Sequence, residues 1–467
     1  MGPASARLLA SQSLGKLCHT ALDYVGCSVI PSLLSDSLDP RDVTLRHGSL
    51  LGLAEILLAC PALEQRDRVF PSSTLVSLVE LVPTIEKKRL YRGKGGEQMR
   101  EAVCRFIECL ACVGIPLTVQ QQVKLLDTID SCIPHPSEKI QLQATKALGA
   151  LMDSYFPIGP KGPSDRLQKR VVEKYVKQVV TSVNPAATRG FALALGVLPA
   201  KLLAPSTMVL DTVLSCLCRA SRVDAKVGNE KDAETRRNAL ISIARVSATV
   251  GVCKKHISDT TEFALVGLSK KQVDHVFDAF FAGLDDYNLD RRGDVGSWSR
   301  IVAMDGLEKV SMKLIQEYTD LNEDLIDKDT CIRVVGGLLK QLAEKLDSVR
   351  IRAGECLEHI LSKCDPPFPF IPQKDHILNA LRIVGGNGFV NWADAAVTFP
   401  MVMQAAEVEE FFYFVISGII VSVGCLTESV SKHATMALVS WLKDGNRTER
   451  VERLGDGEFT AVALQTK

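Results

Sequence analysis

The residues best suited to chemistry in this chain are cysteines, glycine-rich loops and arginines, and most of them miss the spacing their chemistry requires. Cys109-Leu110-Ala111-Cys112, with Cys104 nearby, has the bare spacing of half a zinc site or a redox pair. Metal would need a second ligand pair, and none occurs at suitable spacing. These cysteines sit in an apolar helical pattern over Val103–Val113, so they read as helix packing. Gly93-Lys94-Gly95-Gly96 lacks the terminal Lys-Ser/Thr of a phosphate loop, and Gly385-Gly386-Asn387-Gly388 lacks the later glycine of a dinucleotide fingerprint. The eight histidines are scattered, with no His-Glu-x-x-His, and no nucleophile elbow surrounds a serine. They read as surface or helix-terminal residues. Asp285-Asp286 and Glu409-Glu410 lie at the ends of apolar helical patterns, where exposed charges cost little, and offer no acid/base pair. No cofactor, metal or catalytic residue is expected.

Two polar segments remain. Glu86 to Gly96 is a basic, glycine-flexed loop whose Lys87, Lys88, Arg89, Arg92 and Lys94 suit an acidic peptide or a GTPase surface. In Asp290 to Arg300, Asp294 fits a helix N-cap and Trp298 is placed to pack on the preceding repeat with Ile301 and Val302. Arg291, Arg292 and Arg300 are then three guanidiniums beside a rigid cap, suited to carboxylate or phosphate recognition, with helix-lattice salt bridging as the alternative.

The elements that must carry these segments are written in a recurring pattern: Leu14-Gly15, Leu51-Gly52, Leu148-Gly149, Leu195-Gly196. Each copy lies near the end of a helical stretch, and weaker copies around Glu108, Ala244, Gly306, Glu358 and Val439 extend the series at steps of about 40 to 60 residues, near the HEAT or armadillo period. A glycine or alanine at a helix crossing lets backbones approach, and leucines three and four positions away form the apolar stripe. One helical pair cannot bury that stripe, whereas stacking can. The expected fold is therefore an all-α, HEAT/armadillo-like solenoid. Residues 1–443 should hold roughly nine to ten repeats and 444–467 a loosely ordered tail. The gap between Glu358 and Val439 is too long for one step and should hide a helical pair over Trp392–Gly424. Ala6–Leu17 reads as the second helix of an incomplete first repeat, with Leu8, Leu9, Leu14 and Leu17 facing inward, as if cut from a longer solenoid. Asp39, Ser137, Asn184 and Asp347 are the expected helix caps.

Composition sets the remaining bounds. With 55 basic and 55 acidic residues the chain has no global field pointing to nucleic acid or membrane. Fourteen cysteines dispersed in helical patterns read as reduced and buried. The longest apolar run, Phe411–Leu426, is too short to span a bilayer and reads as a helix buried all round.

Three stretches carry a family resemblance: Arg92-Gly93-Lys94-Gly95-Gly96-Glu97-x-Met99-Arg100-x-Ala102-Val103-Cys104-Arg105, Leu45-Arg46-His47-Gly48-Ser49 and, above all, Arg291-Arg292-Gly293-Asp294-Val295-Gly296-Ser297-Trp298. In combination they resemble the tubulin-folding cofactor D family. Its chains are more than twice this length, and the resemblance is to their C-terminal part. It implies a solenoid that captures β-tubulin, works with cofactors C and E on the α/β heterodimer, and interacts with an ADP-ribosylation-factor-like small GTPase. It also implies stimulation of GTP hydrolysis by tubulin together with partner cofactors, and a cytoplasmic, cytoskeleton-associated location that includes the centrosome. The competing readings are a general solenoid adaptor and a direct GTPase activator using Arg291, Arg292 or Arg300 as an arginine finger.

Overall fold

A computed structural model describes residues 3–60, 63–91, 95–156, 163–223, 232–252, 255–256, 264–318, 325–383 and 390–444, with Arg450, Glu452 and Leu454. The fold is all-α and built from stacked antiparallel helical pairs. It divides into two compact units, one of residues 1–216 with 256–265 and the other of 217–255 with 266–467.

In the first unit, one row of helices runs Ala4–Leu17, Val43–Ala59, Gly96–Val113, Glu138–Tyr155 and Pro185–Leu195, each packed on the next. A second row covers it, with Leu81–Lys87, Val119–Cys132 and the helical stretch 165–181. Local sequence sets the ends. Thr118 and Gln121 form a reciprocal capping box at the start of Val119–Cys132, a device that satisfies donors the first turn would leave orphaned. Gly114, at φ 68°, closes Gly96–Val113 in a left-handed conformation that other residues adopt at a cost. The second unit repeats the plan. Ala233–Val250, Gly296–Tyr318 and Asp347–Glu358 stack in one row, with Lys270–Leu284, Lys328–Leu342 and Glu409–Val423 in the other. The pair hidden between Trp392 and Gly424 is present as Ala395–Gln404 and Glu409–Val423.

Several expectations need correction. Of the four leucines expected to face inward, Leu14 does so, half-buried beside Gly52, whereas Leu8, Leu9 and Leu17 are 40%, 65% and 61% exposed. The closest packing of this first helix is at Ser11 and Gly15, because a Cβ at Gly15 would lie 2.8 Å from the Glu55 carbonyl and larger residues would hold the two helices apart. Gly15 is thus a true crossing point, but Gly52 and Gly149 make ordinary contacts, the nearest at 3.4 Å, and Gly196 caps the end of its helix. The tight crossing of Pro185–Leu195 is at Gly190, where a Cβ would fall 1.9 Å from the Ile133 carbonyl. Asn184 caps as expected, accepting from the Ala186 amide at 3.1 Å. Asp39 instead shapes the turn around Pro40, and Asp42 caps Val43–Ala59 by accepting from the Thr44 and Leu45 amides. Asp347 opens its helix as the first helical residue, after the cap position at Leu346, and Ser137 occupies a cap position without a side-chain bond. The helix over Glu409–Val423 buries one side through Phe411, Val415, Ile416 and Ile419 and exposes Tyr413. No helix among the described residues is long and apolar enough to cross a membrane. The expected tail, 444–467, lies almost entirely outside the described residues.

Candidate partner-binding site

The Arg291–Trp298 segment sits at a junction in the second unit. Lys270–Leu284 ends, the chain turns through Asp286 and Asn288, and two short antiparallel strands, Leu289–Asp290 and Gly293–Asp294, pair with Leu289 opposite Asp294. Gly293 supplies the left-handed φ of 104° that the turn at Arg291 and Arg292 needs. Gly296 then opens the helix Gly296–Tyr318. A Cβ there would lie 2.1 Å from the Asp286 carbonyl, so the hairpin can close on the helix start only over a bare Cα.

Beneath the hairpin is a buried ion network. Arg300 is 0% exposed. Its Nη1 donates to the Asp286 carbonyl at 2.6 Å and to Asp294 at 3.2 Å, its Nη2 donates to Asp294 at 3.0 Å, and Glu344 is 3.6 Å away. Its guanidinium also stacks 4.4 Å from the Tyr287 ring. Asp294 turns its carboxylate on the helix as well, accepting from the Ser297 amide at 3.1 Å. Asp286, 3% exposed, accepts from Arg236 Nε at 2.7 Å and from the Asn288 side chain at 2.7 Å. Burial alone would raise its pKa, but the Arg236 guanidinium and its other donors outweigh that and hold the carboxyl below its ordinary value. Burial likewise opposes the charge on Arg300, and Asp294 and Glu344 reverse the balance and raise its pKa. The network ties three successive helical pairs, because Arg236 of Ala233–Val250 holds Asp286 and Arg300 reaches Glu344 ahead of Asp347–Glu358, where Arg350 donates to the Glu344 and Lys345 carbonyls at 2.9 Å.

The three arginines expected at one surface therefore have three fates. Arg300 is a core residue and can neither dock a partner nor act as an arginine finger, since reaching solvent would strand Glu344 as a buried, unpaired charge and leave Asp294 only Lys345, 3.8 Å away. Arg292 is half-exposed and clamped: it bonds Asp290 at 2.7 Å, pairs with Glu234 and lies 4.9 Å over the Trp298 ring. Arg237 approaches the same indole at 5.9 Å. Trp298 is thus a partly exposed plate under two guanidiniums, and it meets the preceding repeat through Arg237 of Ala233–Val250. Arg291, at the turn, is exposed. Beside it, Arg236, Arg292, Asp232 and Asn288 line a polar cleft of about 270 Å³. The carboxylate pair Asp285-Asp286 is split between the two environments, with Asp285 bonded to Lys340 at 2.7 Å and Asp286 in the core rather than exposed.

The other basic segment belongs to the first unit. Lys87 ends the helix Leu81–Lys87, and Lys88 and Arg89 come directly after it, all three exposed. Arg89 adopts φ 55°, its amide donating to the Glu86 carbonyl and the Leu90 amide to Ile85. These two bonds form a Schellman closure, with an arginine at the position glycine usually fills. Arg92 and Lys94 lie outside the described residues. Among the cysteines, Cys104 and Cys109 are buried and Cys112 is exposed, and no group of three potential metal ligands occurs among the described residues. His47 departs from its expected surface position. It is 4% exposed and accepts from Arg7 Nε at 3.0 Å, and burial, seconded by Arg7, pushes its pKa down to about 4.

Residues 332–461 match the family model described as tubulin folding cofactor D C terminal. Tubulin-specific chaperone D of Dictyostelium discoideum is 20% identical over 536 aligned residues, an alignment that covers 96% of this chain and 36% of that protein. Over these stretches the chain is similar to the tubulin folding cofactor D family. It spans about a third of the length of the curated relative it matches. Among solved structures, a computationally designed armadillo repeat protein for modular peptide recognition is 16% identical, over 59% of this chain and 99% of that one, with a TM-score of 0.27. The SYS-1/POP-1 complex matches at 11% identity over 88% and 72%, with a TM-score of 0.33. Superpositions this loose leave the fold to be read from the chain's own helix order. The buried side of the network was missed in sequence because Arg236, Glu344 and Arg350 carry no local signal of burial; the one clue was Gly293 and Gly296 bracketing a charged turn.

Proposed function

We propose that this chain is a non-catalytic module of a tubulin chaperone, which binds protein partners through surfaces held rigid by the stacked helices. The observation that carries the reading is the family match over residues 332–461, supported by a relative that aligns with nearly the whole chain. The partners proposed are β-tubulin, cofactors C and E, and an ADP-ribosylation-factor-like small GTPase, in the cytoplasm and at the cytoskeleton, including the centrosome. Holding an unstable subunit needs only preferential affinity for one of its conformations, which shifts that equilibrium without chemistry. Contacts are assigned to Lys87, Lys88 and Arg89 in the first unit and to Arg291 and Arg292 in the second, with Arg92 and Lys94 extending the first set. Any part in GTP hydrolysis is proposed to act with partner cofactors.

The test is to immobilise the full 467-residue chain, expose it to cytosol and identify the retained proteins by mass spectrometry. Selective retention of β-tubulin with a cofactor or the small GTPase supports the reading. Retention of none of them overturns it and leaves a general scaffold. Arg291→Ala separates contact from catalysis: turnover falling with binding intact would mark an arginine finger, whereas parallel loss marks a contact.

A further inference from the structure

The second helical row of the first unit carries a charge imbalance that the chain as a whole does not. Its segments 86–89, 119–132 and 165–181 hold nine Lys/Arg against five Asp/Glu. In the second unit the corresponding row, Lys270–Leu284, Lys328–Leu342 and Glu409–Val423, holds five against five. Packing explains why the surplus stays free. Carboxylates of the first unit's row are drawn into bonds between neighbouring helices: Glu86 accepts from Thr128 at 2.5 Å, Asp127 pairs with Arg170, and Asp130 accepts from Lys174 and Tyr175, each at 2.6 Å. These bonds set the three helices side by side and consume the acids that could have neutralised the outer stripe. Left exposed on the first helix end are Lys87, Lys88 and Arg89, and on the middle helix Lys124, one turn before Asp127. On the third, Arg166, Lys169 and Lys177 share the outward stripe with the acid Glu173. None of these seven cations pairs with a described residue.

We propose that this face binds an acidic polypeptide segment, a run of glutamates or aspartates laid across the three helices. Spacing suits an extended chain. Adjacent helices lie roughly 8–10 Å apart and an extended residue advances about 3.3 Å, so about three residues bridge one helix to the next. Nucleic acid is disfavoured because the only aromatic in these segments, Tyr175, is buried, leaving no ring on which a base could stack. A bilayer is disfavoured because the stripe offers no band of large apolar side chains to insert. The inference rests on charge and packing; it shares Lys87, Lys88 and Arg89 with the contacts proposed above, whereas Lys124, Arg166, Lys169 and Lys177 belong to it alone.

The experiment titrates the full chain into a fluorescein-labelled oligoglutamate peptide and monitors anisotropy at low and physiological salt. Saturable binding that weakens as salt rises is expected, because exposed charges beyond about 8–10 Å are screened there. The triple variant Lys124→Glu/Arg166→Glu/Lys169→Glu should weaken it at least about tenfold, equivalent to ~1.4 kcal/mol. Lys146→Glu, an exposed site on the other row of the same unit, should change it by less than about twofold, a surface change remote from the stripe. Circular dichroism checks folding, and if the reversal variant unfolds, the same three sites changed to Gln give the reading. The proposal is overturned if the variant binds as tightly as the parent, if no binding occurs, or if labelled duplex DNA or phosphatidylserine vesicles bind more tightly than the peptide.

Discussion

Two arginine- and lysine-rich strings of this molecule look alike as sequence and behave oppositely as structure. At 290–300 almost every charge is spent internally: Arg300 on Asp294 and Glu344, Arg292 on Asp290 and Glu234. At 86–89 the three cations are exposed and unpaired. The difference lies in whether a later element covers the string. Asp290–Arg300 folds back as a hairpin onto its own helix and is roofed by the next repeat, so its charges must be paired to be buried at all. Lys87–Arg89 ends a helix, where cations meet the negative end of the macrodipole and need no partner. A basic string is therefore a surface only where the chain does not return over it.

The sharpest way to break that contrast is to remove one charge from each side. Arg300→Met keeps much of the volume but leaves Glu344 buried without its counter-charge and Asp294 with Lys345 alone, 3.8 Å away, and should cost about 3–5 kcal/mol. Lys88→Ala, on an exposed turn, should stay within about 0.5 kcal/mol of the parent. Guanidinium denaturation of the full chain, read by circular dichroism, measures both. Equal effects would mean that the Arg300 network contributes no more than a surface residue.

How far the sequence led can be judged at these positions. The helical build, the pair hidden between Trp392 and Gly424, the cap at Asn184 and the carboxylate of Asp294 at the helix start were legible, because each depends on residues a turn or two apart. Arg300 was not: Glu344, which pairs with it, belongs to the next repeat, and a charge has no local mark of burial. The Leu-Gly pattern failed for a related reason. The same dipeptide is a backbone crossing at Gly15 and a helix end at Gly196, and only the neighbouring helix distinguishes them. Arg92 and Lys94 stay as expectations from sequence.

A pH titration sharpens the comparison next, because the buried groups in the two units lose their contribution in different windows. His47 is held neutral, with a folded pKa of about 4 against an ordinary 6.5. Between those values the unfolded chain binds the proton and the folded chain does not. Its contribution is therefore whole above pH 6.5, falls as pH drops toward 4 and changes no further below, a loss of about 3 kcal/mol. Asp286 has a folded pKa below its ordinary 3.8, so its contribution is kept above that value and lost only as pH falls through and beneath it. His47→Gln should flatten the stability profile between pH 6.5 and 4 relative to the parent, while Asp286→Asn should leave the slope in that window unchanged. A parent profile already flat there would mean that His47 titrates normally and is not held neutral by its burial.

The smallest effect asks whether Arg89 is kept for its charge or its conformation. It holds a left-handed φ of 55°, which costs a side chain roughly 1–2 kcal/mol, in a helix closure where glycine is the usual occupant. Arg89→Gly relieves that strain but widens the unfolded ensemble, so the net gain in stability should be up to about 1 kcal/mol. The same change removes one cation from the basic face, so oligoglutamate affinity should fall while stability rises. Arg89→Lys, which keeps the charge and the strain, should leave both near the parent values. Opposite movement of the two measurements in the glycine variant would mean that the chain accepts a strained helix end in order to present a charge there; a stability loss would mean instead that the Arg89 side chain packs the turn.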